Sequence, residues 1–119
     1  MSEAPIPPQL QEQLVRLQQI QQTYQVVTSQ RQQLEHEHLE VDKALRELEK
    51  MSDETIVYKS IGAILIESKR RKLIEELTER KELLDMRVKV VTRQQNRLEE
   101  QLRELQGRVQ QRLQSTTKN

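Results

Sequence analysis

The 119 residues are 34% apolar and 33% charged, with no Phe, no Trp and two Tyr; ordinary globular domains are roughly 45–50% apolar, so a compact single core is excluded. Twenty basic residues against nineteen acidic leave a formal charge of +1, and no overall field draws the chain to nucleic acid or an anionic membrane. The absence of cysteine excludes disulfides and thiolate metal sites, and no apolar run approaches the ~20 residues that span a bilayer or resembles a signal peptide, which points to a cytoplasmic protein.

The first eight residues, MSEAPIPP, hold all three prolines. Because Pro7 and Pro8 can only precede a helix or occupy its first turn, residues 1–8 read as a flexible end and a helix is expected over 9–50. Within it Leu10, Leu17, Tyr24, Arg31, His38 and Leu45 recur every seventh residue, interleaved with Ile20, Val27, Leu34, Val41 and Leu48. This 3–4 spacing is a coiled-coil seam. The pattern then changes. In ETIVYKSIGAILIES the runs Thr55 to Tyr58 and Ala63 to Ile66 are rich in β-branched residues and flank a turn containing Ser60 and Gly62. They predict a β-hairpin over 55–67 with apolar side chains on both faces. A second helix, capped by Ser68, is expected over 68–113, with 114–119 a frayed end. Its seam consists of Ile74, Lys81, Val88, Gln95, Leu102 and Val109, interleaved with Leu77, Leu84, Val91, Leu98 and Leu105. The pairs Glu76/Arg80, Asp85/Lys89, Glu99/Arg103 and Glu104/Arg108 put acid before base at i,i+4 on its outer face.

Folding the helices back on each other sets residues whose numbers add to about 119 opposite one another, in the manner of an antiparallel seam. Leu10 then meets Val109, Leu17 meets Leu102, and Leu45 meets Ile74. The polar exceptions coincide, Tyr24 with Gln95 and His38 with Lys81, so that each shares a layer rather than standing alone among apolar side chains. The single domain, residues 1–119, is thus a mainly α antiparallel coiled-coil helical hairpin with one central β-hairpin. An isolated two-stranded hairpin is marginal in water, and this one is apolar on both sides. Its edges and faces would be satisfied if hairpins from several chains closed into an intersubunit β-barrel. The residues expected at that contact are Ile56, Val57, Tyr58, Ile61, Gly62, Ile64, Leu65 and Ile66.

The order helix, single hairpin reading IVYKSIGAILI, and helix of matching length resembles the prefoldin β-class subunit over nearly the whole chain. Val57-Tyr58-Lys59-Ser60-Ile61-Gly62, followed by Ile64-Leu65-Ile66, is similar to the central segment of that family, and the glutamine-rich first helix is typical of it. The α-class subunits are longer and carry two hairpins; this chain looks like the archaeal β class. The resemblance implies a hexamer of two α-class and four β-class subunits, with coiled coils extending from a platform of hairpins. It also implies capture of non-native client proteins at the coiled-coil tips without ATP and delivery to a cytosolic group II chaperonin. No GxxxxGK[ST] phosphate loop is present. By location alone, the tip residues would be Ile6, Leu10, Leu14, Leu17, Leu102, Leu105, Val109 and Leu113.

Other sites read weakly. Along Glu35-His36-Glu37-His38, positions i and i+2 point about 200° apart on a helix and cannot share one metal ion. Lys69-Arg70-Arg71-Lys72 lacks the aromatic neighbours of a nucleic-acid site and reads as a solvated helix start. No nucleophile–base arrangement sits in a groove that excludes water, so neither catalysis nor a cofactor is expected. The competing reading is a structural coiled-coil scaffold or tether without chaperone activity, for which heptads alone would suffice and a two-faced apolar hairpin would have no purpose.

Overall fold

The computed structural model describes residues 6–117, and the side chains of residues 6–115. Helix α1 spans Pro8–Glu49, strands β1 and β2 span Val57–Ile61 and Ile64–Ser68, and helix α2 spans Arg70–Thr117. By compactness the chain divides into two units, one of residues 31–90 and one joining the stretches 1–30 and 91–119. The first five residues of the expected flexible start, and the last two of the expected flexible end, lie outside the described residues.

Pro8 occupies the first helical position, where its missing N–H costs nothing. The first intrahelical bond runs from the Gln11 amide to the Pro7 carbonyl at 3.0 Å. At the other end of α1 the amides of Lys50 and Met51 bond three residues back, to Glu47 and Leu48 at 3.2 Å, the tightened last turn by which helices commonly finish.

In the unit of residues 31–90, Val41, Leu45 and Leu84 are buried together and packed by Leu34, Ile74 and Leu77. Leu84 is 0% exposed. A polar layer of four lies in the same unit. Lys81 Nζ donates to Asp42 Oδ1 at 2.8 Å, while His38 Nε2 lies 2.6 Å from Asp85 Oδ1 but too far out of line to make a hydrogen bond. In the other unit Leu10, Leu105 and Val109 are buried together, with Leu17 and Ile20 against them. Its polar layer has the same form. Tyr24 Oη donates to Glu99 Oε1 at 2.7 Å, and Gln95 Nε2 donates to Thr28 Oγ1 at 3.1 Å. Each layer therefore uses an i,i+4 pair from each helix, with Glu99, Asp42 and Thr28 accepting from Tyr24, Lys81 and Gln95.

Four expectations are corrected. The strands begin at Val57 and Ile64, and the turn is Gly62-Ala63, joining the paired residues Ile61 and Ile64. Among the described residues Gly62 alone has positive φ, +58°, which only glycine adopts without strain and which a two-residue hairpin turn requires at its first central position. Thr55 belongs instead to a preceding turn, its amide bonded to the Ser52 carbonyl at 3.1 Å. Ser68 does not cap α2. It pairs with Val57 in the ladder, and the helix opens after it, with the Leu73 amide bonded to the Lys69 carbonyl at 3.0 Å. Helix α2 also continues past Leu113 to Thr117, since no Gly or Pro follows to stop it. Of the expected i,i+4 pairs, Glu104–Arg108 forms at 3.1 Å. Glu76, Asp85 and Glu99 turn instead to Lys59, His38 and Tyr24.

Gly107 lies inside α2, and a β-carbon placed there would meet nothing within 4 Å. A mid-helix glycine costs about 0.5–1 kcal/mol relative to alanine. Gly107→Ala should therefore raise the unfolding free energy by about that amount, read as a rightward shift of the urea midpoint at unchanged slope.

Candidate assembly and client-binding surfaces

Residues directly opposite in an antiparallel ladder share a face. The register therefore puts Val57, Lys59, Ile61, Ile64, Ile66 and Ser68 on one side of the hairpin and Tyr58, Ser60, Leu65 and Glu67 on the other. Val57 is covered at 7% exposure, whereas Ile56, Tyr58, Ile61, Ile64, Leu65 and Ile66 are 47–69% exposed. Both faces thus present large apolar side chains to water, and both outer strand edges of the two-stranded sheet carry unused ladder positions. Gly62 lies in the turn at the tip of the hairpin.

The base of the hairpin is fastened by charge. Arg70, in the first turn of α2, donates through Nε to the Leu48 carbonyl at 2.6 Å and through Nη1 to Asp53 Oδ1 at 2.9 Å. Arg71 Nη2 reaches Asp53 Oδ2 at 3.0 Å. Lys59 Nζ, on β1, reaches Glu76 Oε2 at 2.8 Å. Half of the basic run at 69–72 is thus spent on holding the chain's own turn.

At the helix ends, Leu10, Leu105 and Val109 face inward. Leu17 and Leu102 are half-buried, while Ile6, Leu14 and Leu113 are exposed. Arg112 Nη1 donates to Gln9 Oε1 at 2.7 Å, tying the two helix ends together. Val15 was missed by the heptad reading because it falls off the seam, yet at 56% exposure it stands more open than Leu14 beside it. An apolar residue outside the heptad series was the available signal.

No group of three potential metal ligands occurs among the described residues, and no described helix is long and apolar enough to cross a membrane. Residues 35–38 face different neighbours: Glu35 bonds Arg31 and Glu37 bonds Arg80, while His36 lies beside Glu40 and His38 beside Asp85.

The ion pairs shift titrations in a consistent direction. Asp53 is held below its ordinary 3.8 by hydrogen bonds from Arg71 and then Arg70, Glu76 below 4.5 by Lys59, and Asp42 below 3.8 by Lys81. Lys81 is raised above 10.5 by Asp42, and Tyr24 above 10.0 by its bond to Glu99. A depressed carboxylate gives stability that is complete above its unfolded pKa and is lost as pH falls through the folded one. A raised Tyr or Lys gives stability that is complete below its unfolded pKa and is lost as pH rises through the folded one. From these groups the melting temperature should be level from about pH 5 to 9 and decline on either side, as circular dichroism melts across pH would show. A maximum confined to the acid side of pH 5 would contradict these pairings.

Against known proteins, a family model described as "Prefoldin subunit" matches residues 11–116. The chain is 44% identical over 105 residues to the prefoldin subunit beta of Archaeoglobus fulgidus, covering 88% of this chain and 90% of that one. It is 39% identical over 111 residues to the prefoldin subunit beta of Thermococcus onnurineus, covering 93% and 96% respectively. The crystal structure of the prefoldin beta subunit from Thermococcus strain KS-1 superposes with a TM-score of 0.83 at 37% identity, covering 93% of this chain and 97% of that one.

Proposed function

Since the chain belongs to the prefoldin family as a β-class subunit of archaeal type, we propose that it works as an ATP-independent holdase within a hetero-oligomer. In this reading the hairpin joins hairpins of neighbouring subunits in a closed β-barrel, in an assembly of two α-class and four β-class chains. Non-native proteins are held at the helix ends and passed to a group II chaperonin in the cytoplasm, with no catalytic step.

The observation that carries the reading is the hairpin, which is apolar on both faces and almost wholly uncovered by its own chain. Large apolar side chains packed this densely on a lone two-stranded sheet are an aggregation hazard unless other chains bury them. That separates a holdase subunit from a simple coiled-coil tether, which needs no such surface. At the helix ends, Ile6, Leu14, Val15 and Leu113 are the apolar side chains a client would meet first. Leu10, Leu105 and Val109 already bury one another, so they support that surface from beneath. Native mass spectrometry of the chain with a two-hairpin prefoldin subunit, followed by light scattering of a denatured client without nucleotide, tests the reading. A monomer under all conditions, or an assembly that leaves client aggregation unchanged, would favour the tether.

A further inference from the structure

Two ionic ties meet at the hairpin, one at its root and one from Lys59 on β1. The first is at the root. Asp53 precedes β1 and Arg70 and Arg71 follow β2, so the Asp53 carboxylate bonded to both guanidinium groups closes the two legs just below the Val57–Ser68 pair. Arg70 also bonds the Leu48 carbonyl, which accepts the Met51 amide as well in the last turn of α1. The same side chain therefore joins the end of α1, the entering loop and the start of α2. The second tie fixes tilt. Lys59 projects from the face of β1 that carries Val57, and it bonds Glu76 on α2. The first tie opposes splaying of the two legs, and the second opposes swinging of the hairpin about its root.

We propose that Asp53, Arg70, Arg71, Lys59 and Glu76 are positioning residues for assembly, holding the hairpin at the one angle from which its edges and faces meet those of neighbouring subunits. This rests on the reading that the hairpin is the assembly element. Several hairpins must share one geometry to close a sheet, so each chain that arrives already oriented spares the assembly an ordering cost, and small effects per chain multiply across subunits. Single exposed ion pairs add little to the fold itself. Their removal should therefore be visible in assembly and nearly silent in the helices.

The test uses the full chain mixed with a two-hairpin prefoldin subunit, diluted in steps and followed by native mass spectrometry. Lys59→Glu and Glu76→Lys should each raise the concentration at which the assembly falls apart by roughly several-fold, with the helix melting curve little changed. The double exchange, which restores an opposite pair in the reverse sense, should return it to within about two-fold of the parent. Asp53→Asn should weaken assembly in the same way and make the remainder less sensitive to salt. Single variants that assemble like the parent, or a double exchange as weak as its two parts combined, would overturn the inference. Ile64→Asp with Leu65→Asp is run alongside. If it disperses the assembly while the tie variants do nothing, the hairpin reading stands and the positioning role alone falls. If it assembles like the parent, both fall.

Discussion

Replacing Ile64 and Leu65 with Asp should disperse the assembly into single chains that keep their helices. The two side chains lie on opposite faces of the hairpin, and each is mostly exposed in the lone chain, so the substitutions cost the monomer little. Buried at a subunit contact, an unpaired carboxylate costs several kcal/mol, and every copy of this chain in the assembly would carry two. Sedimentation should show loss of the large species, while far-ultraviolet circular dichroism stays within a few per cent of the parent. The choice of positions matters. Val57 would be a poorer site, because it is already covered by its own chain and an Asp there would disturb the hairpin root as well as the contact. Survival of the large species in the Ile64/Leu65 variant would mean that assembly uses another surface.

Removing residues 1–17 together with 103–119 should abolish suppression of client aggregation while leaving assembly in place. The deletion takes Ile6, Leu14, Val15 and Leu113 from the surface and Leu10, Leu105 and Val109 from the interior; it spares the hairpin and the cluster around Leu84. At about 1.5–3 kcal/mol for each fully buried aliphatic side chain, the melting temperature should also fall. A milder variant separates the two effects. Changing Ile6, Leu14, Val15 and Leu113 to Ser leaves the inward-facing leucines and Val109 packed, so stability should change little. Because apolar capture is non-directional and scales with area, protection of unrelated clients should weaken in parallel. A truncated assembly that protected clients as well as the parent would move the client site away from the helix ends.

The heptads were legible because a coiled-coil seam is written locally, in residues three and four apart, and the buried positions Val41, Leu45, Leu84, Leu105 and Val109 all fall on it. The polar layers were half legible. Their seam members could be named, but the acids and hydroxyl that complete them, Asp42, Asp85, Glu99 and Thr28, stand beside the seam and look like any solvated face until the helices pair. The hairpin was recognised from its β-branched content, yet its strands were misplaced. Composition points to the runs Thr55–Tyr58 and Ala63–Ile66, whereas the register is set by Gly62, the hairpin residue that takes positive φ. Least legible were the ties of Arg70 and Arg71. A row of four basic residues reads as solvent-facing, and nothing local says that two of them reach back 17 to 22 positions, to Asp53 and Leu48.

Gly62 adds a consequence of handedness. Space does not demand glycine at this turn, because a β-carbon there would touch nothing within 4 Å; the sign of φ demands it. An L residue would be opposed by its own backbone, whereas the mirror-image amino acid prefers that half of conformational space. D-alanine, introduced by chemical ligation of two peptide segments, would suit the native turn and remove freedom that glycine gives the unfolded chain. The hairpin would then be stiffer by chirality alone, with every apolar side chain that faces a neighbour left as it was.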